Sequence, residues 1–171
     1  MVIELDWEKS LLSNKFTFII KNENVGSYRY GLFKDNAEGE LLNRSLRFRQ
    51  NGILRKHTRI INPDNDEIIG IIKLRPGLFK NKADITLDGE HYSWSSKSTW
   101  SSKWELRDES SVRVAGNNNS LRGKFQVTQP NVPLILSAMY ISRNFKDSNR
   151  FFTLLFVLPP VLQYLFRLTG G

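Results

Sequence analysis

Val132-Pro133-Leu134-Ile135-Leu136-Ser137-Ala138-Met139-Tyr140-Ile141 is the stretch on which the fold turns. Pro133 suits the first turn of a helix, where its missing N–H would have had no intrahelical partner. Beyond it, apolar residues occupy nearly every side of the helical wheel. A helix that is apolar all round belongs inside a protein rather than on its surface. The pattern therefore predicts a buried helix over residues 133–142.

What precedes it is strand-like. From about residue 15 to residue 128, short aromatic and β-branched runs alternate with turn signals. Phe16-Thr17-Phe18-Ile19-Ile20 is one run. Tyr28-Arg29-Tyr30-Gly31-Leu32-Phe33 is another, after a break at Asn24-Val25-Gly26. Leu46-Arg47-Phe48-Arg49 alternates apolar with basic. Asn62-Pro63-Asp64-Asn65-Asp66 turns the chain through proline and Asx chemistry, and Ile68-Ile69-Gly70-Ile71-Ile72 follows. Ala83-Asp84-Ile85-Thr86-Leu87 leads into Asp88-Gly89, a strong hairpin signal. Gly116-Asn117-Asn118-Asn119-Ser120 reads as a flexible loop. Roughly eight to ten strands at this spacing predict a β-sandwich or barrel.

This order, a β-rich domain and then an all-apolar helix, resembles the tubby C-terminal-like superfamily, which includes the LURP-one-related proteins and the phospholipid scramblases. The local resemblance lies in Ile61–Ile72, Ala83–Trp94, Trp104–Asp108 and Pro133–Ile141. It implies a mainly β fold: a closed antiparallel barrel around a hydrophobic C-terminal helix. The expected organisation is a barrel over 1–149 with its central helix at 133–142, then an apolar C-terminal extension over 150–171. The family's chain usually ends near the threading helix, so the extension is a departure from its pattern.

Composition bounds the chemistry. A chain of 171 residues fits one domain and can hold a core without disulfide or metal. It has no cysteine, which removes thiolate nucleophiles and Cys-type zinc sites. His57 and His91 are the only histidines, and neither sits in a metal spacing. Asp64-Asn65-Asp66 matches part of a calcium loop but lacks its glycine and its closing glutamate. There is no P-loop and no dinucleotide fingerprint. The reading is a non-enzymatic protein with no cofactor and no metal. The N-terminus shows no secretory pattern, so the expected location is the cytoplasm, or peripheral to a membrane on its cytoplasmic side.

A formal net charge of +8 favours anionic partners. A three-residue Gln50-Asn51-Gly52 loop would pair Arg49 with Ile53 and send Arg47, Arg49, Arg55, His57 and Arg59 to one face. Leu46, Phe48 and Leu54 would take the other. A two-residue Asn51-Gly52 turn would shift the register and scatter the cluster. Arginine forks suit phosphate oxygens, so this face is the candidate anion or phosphoinositide-headgroup site; the alternative is a solvated strand face whose charges deter edge pairing. Trp94, Trp100 and Trp104, interleaved with Lys97 and Lys103, fit a single-strand stacking groove less well than a core, and nucleic acid is disfavoured.

Phe151 to Phe166 carries no charge over sixteen residues. As a helix it would reach about 24 Å, short of a hydrocarbon core of about 30 Å, and Pro159-Pro160 breaks it. It can fold back into the core, dip into a membrane, or form a subunit interface. Phe151, Phe152, Leu155, Phe156, Leu162, Tyr164 and Phe166 are the expected membrane or partner contacts. Two functions follow. One is a module that binds anionic lipid at a membrane surface. The other is a structural protein that assembles with a protein partner or with itself through this segment.

Overall fold

A computed structural model describes residues 2–31, 36–51, 57–99 and 101–146, apart from the side chains of Asn51 and Asn118. Among these residues, twelve strands form one closed barrel in which every neighbouring pair is antiparallel. They are β1 (Ile3–Lys9), β2 (Lys15–Ile20), β3 (Glu23–Tyr30), β4 (Asn36–Leu41), β5 (Arg44–Asn51) and β6 (His57–Asn62). The ring continues through β7 (Glu67–Arg75), β8 (Lys82–Leu87), β9 (Glu90–Ser96), β10 (Lys103–Arg107), β11 (Val112–Asn118) and β12 (Arg122–Val127). Each strand pairs with its neighbours in sequence, and β1 closes the ring on β12 with Leu5 opposite Phe125. The barrel of the sequence reading is present, with more strands than the eight to ten expected.

Alternation decides what faces inward. In β4, Ala37, Gly39 and Leu41 are buried while Asn36, Glu38 and Glu40 are exposed. Leu5 and Trp7 of β1, Phe16 and Phe18 of β2, Leu46 and Phe48 of β5, and Val114 of β11 follow the same rule.

The helix, α1, covers residues 132–146, four residues beyond the expected end. It runs through the barrel. Tyr140 stacks on Phe48 of β5 at 4.8 Å and shares a hydrogen bond of 2.9 Å with Thr58 of β6. Phe145 stacks on Trp94 of β9 at 5.4 Å. The Arg143 guanidinium lies over the rings of Trp7 and Phe16, from β1 and β2. Contacts from strands on several sides of the ring leave residues 132–143 of α1 buried without exception. Burying each Leu, Ile or Met here contributes about 1.5–3 kcal/mol. Asn131 caps the start: its Oδ1 accepts the Leu134 N–H at 3.1 Å. The helix continues past Ile141 because Arg143, although charged, lays its stem in the core and donates to the carbonyls of Asn119 and Ser120.

The two ends of the barrel differ. At one end the strands are joined by tight turns at 21–22, 42–43, 63–66, 88–89 and 108–111. Lys21-Asn22, Leu42-Asn43 and Asp88-Gly89 all have positive φ at both positions, the geometry of two-residue hairpins. The Asp108 carboxylate accepts the backbone N–H groups of Ser111 and Ser110 and pairs with Arg113. These contacts hold it well below the usual carboxylate range. The other end carries the connections 10–14, 76–81 and 97–102, which are longer, and the short link 119–121. The helix enters at the turn end and reaches this loop end at residue 146.

Three sequence expectations are corrected. Asn24-Val25-Gly26 lies within β3 rather than before it, and β3 ends at Tyr30. Gly116-Asn117-Asn118 belongs to β11, not to a loop, because Gly116 faces inward against the Trp104 indole. Residues 3–9, expected to precede the strands, form the one that closes the barrel.

Candidate anion-binding surface

The proposed arginine face exists, in a different register. Arg49 lies opposite Arg59, Asn51 opposite His57, and Arg47 opposite Ile61. Arg49 therefore does not pair with Ile53, and the Gln50-Asn51-Gly52 loop does not form, because Gln50 and Asn51 are still in β5. The new register differs from the expected one by an even number of positions, so the outward set survives. Arg49, His57 and Arg59 are exposed, while Leu46 and Phe48 are buried. Arg55 and Leu54 lie outside the described residues.

Arg47 stands apart. It is half-buried and engaged, with Nε 3.3 Å from Glu38 and Nη1 3.2 Å from Asp66. Its charge is answered within the fold. The next strand contributes a residue that sequence reasoning missed: Lys73 of β7 lies opposite His57 and is exposed. The signal for it was the β6–β7 register, which follows only once the Pro63–Asp66 turn is closed. The wall of β5, β6 and β7 thus carries Arg49, Arg59, His57 and Lys73 side by side. Two guanidinium groups opposite each other on a ladder concentrate positive charge and hydrogen-bond donors, which suits a bound anion.

A second basic feature lies further round. A cleft of about 630 Å³ over β9–β12 is lined by Lys80, Lys97, Lys103 and Lys124, with Glu105 among them. The Glu4 and Asp6 carboxylates beside Lys124 raise its pKa and anchor it, so the other three lysines carry the cleft's outward charge. Trp94 and Trp104 sit behind this wall in the core, 2% and 4% exposed, and stack on no surface. Trp100 lies outside the described residues.

Other candidates resolve into structure. His91 shares a hydrogen bond with Thr86 at 3.2 Å. Asp64 and Asp66 stay in their turn, with the Asp64 N–H donating to Asn62 Oδ1 at 3.1 Å. Among the described residues no cluster of His, Asp and Glu could hold a metal ion, and no helix is long and apolar enough to cross a membrane. Phe151, Phe152, Leu155, Phe156, Leu162, Tyr164 and Phe166 lie outside the described residues. Compared with known protein families and with curated proteins, the sequence matches none.

Proposed function

We propose that this protein is a tubby-like, non-enzymatic barrel that binds anionic lipid, through headgroups of the phosphoinositide or phosphatidylserine kind, at a membrane surface. The observation that carries this reading is the outward wall on which Arg49 stands opposite Arg59, beside His57 and Lys73. Guanidinium forks hold phosphate oxygens in two-point contacts, and two forks on adjacent strands can share one phosphorylated headgroup. The helix-threaded barrel supports the tubby-like part of the reading. It also supplies a rigid wall, since paired strands fix the spacing of the arginines.

Charge reversal tests it. Arg49→Glu with Arg59→Glu is expected to lower affinity for phosphatidylserine or phosphoinositide vesicles by about tenfold or more, since each basic residue near such a surface is worth about 1 kcal/mol. Circular dichroism and melting temperature should stay near those of the parent, because both side chains face solvent. Unchanged vesicle affinity in the folded double variant would remove the arginine wall from the mechanism.

A further inference from the structure

We infer that the loop end of the barrel is a membrane-docking end, which meets an anionic bilayer with its mouth facing the lipid and inserts two apolar loop tips. This rests on the lipid-binding reading above and adds to it which end of the molecule faces the membrane and which residues enter it.

Charge is sorted along the barrel axis. The strand-terminal residues at the loop end include Lys9, Lys15, Lys82, Lys103 and Arg122, together with His57 and with Arg75, which pairs with Asp84; no terminal residue there is itself a carboxylate. The described residues of the loops themselves add Lys80 and Lys97, again with no acid. The turn end is the reverse. Its turns carry Asp64, Asp66, Asp88, Asp108 and Glu109 against the single Lys21. A molecule polarised in this way is steered loop end first towards a negative surface.

The most exposed large apolar side chains lie at the same end. Leu11 and Leu12 in the β1–β2 loop are 79% and 100% exposed, and Leu78 and Phe79 in the β7–β8 loop are 89% and 87% exposed. These are not loosely tethered loops. Thr99 donates its backbone N–H to Phe79 O and its hydroxyl to the carbonyls of Gly77 and Leu78. Asn14 donates to Tyr30 O at 2.6 Å, and Ser13 braces Lys15. The backbones are held while the apolar side chains face water, an arrangement that costs solvation unless something covers it.

Ring order favours a plane as the cover. The β1–β2 and β7–β8 loops stand on opposite sides of the mouth, with β3–β6 between them one way round and β9–β12 the other. A groove in a partner protein would reach one tip. A bilayer surface laid across the mouth meets both, and its anionic headgroups meet the basic rim between them. α1 also reaches this end at residue 146, with Arg143 held by the β11–β12 loop.

The absence of cysteine makes a direct test simple. Single Leu12→Cys, Phe79→Cys and Glu109→Cys variants of the full chain, each carrying an environment-sensitive fluorophore, are mixed with phosphatidylserine-containing vesicles bearing a lipid-linked quencher. The expected result is a blue shift and quenching at 12 and 79 and neither at 109. Leu12→Ser with Phe79→Ser, unlabelled, should weaken vesicle affinity by about tenfold or more with its melting temperature preserved. If vesicles recover the protein but the labels at 12 and 79 stay in water, end-on insertion is overturned while anionic lipid binding stands. If vesicles do not recover it, both fail. Blue emission at 12 and 79 before vesicles are added would mean that another copy, or the chain itself, already covers this end, and would also overturn the inference.

Discussion

Gly116 shows how a single residue type can hide a strand from a reader and still be required by it. A Cβ placed there would lie 2.1 Å from Cζ2 of Trp104, so the position has room for hydrogen alone. Gly116→Ala should therefore destabilise the protein by about 1–3 kcal/mol through overpacking, as measured by denaturant unfolding. A neutral effect would mean that the indole does not lie where β11 places it. The same logic explains what was illegible in the sequence. Gly116-Asn117-Asn118 looks like a loop because its inward residue is the smallest available. Asn36–Leu41 gives no strand signal because two of its three inward residues, Ala37 and Gly39, are small, and a Cβ on Gly39 would meet the Leu136 side chain. Leu42 adopts φ of +50°, a conformation leucine rarely signals, so the Leu42-Asn43 hairpin gave no warning.

The helix is the element that was most legible, and for a physical reason. A run apolar on every side has few soluble solutions, and burial inside a barrel is one of them. Its far end is hidden in the sequence because Arg143 reads as surface, whereas its guanidinium caps the barrel mouth. The arginine wall was half legible. Alternation fixed which side chains of β5 and β6 share a face, but the register depended on a connection longer than the one assumed, and Lys73 entered only through β7. The tie between helix and wall can be measured. Tyr140 meets Thr58 in a site where both side chains are buried. Tyr140→Phe should cost about 1–3 kcal/mol, because the Thr58 hydroxyl loses that partner. Thr58→Val added to it should recover part of that loss. A double variant no more stable than the single would show that the hydroxyl is satisfied elsewhere.

At the scale of the whole molecule, the closed barrel, its threaded helix and an axial separation of charge act together. The closed ring leaves no strand edge for pairing, so association with other surfaces falls to the ends and the outer wall. The wall of β5–β7 and the cleft over β9–β12 both lie in the basic half, and Leu11, Leu12, Leu78 and Phe79 stand on its rim. None of this axial sorting was visible in the sequence, because the bases are scattered along the chain and gather only when alternate connections fall at one end. The most direct measurement is co-sedimentation of the intact protein with phosphatidylserine-containing and with purely neutral vesicles as salt is raised. The account predicts recovery with the anionic vesicles only, falling steeply as the ionic strength passes that at which the Debye length is about 10 Å. Equal recovery with both kinds of vesicle, or recovery with neither at low salt, would contradict it.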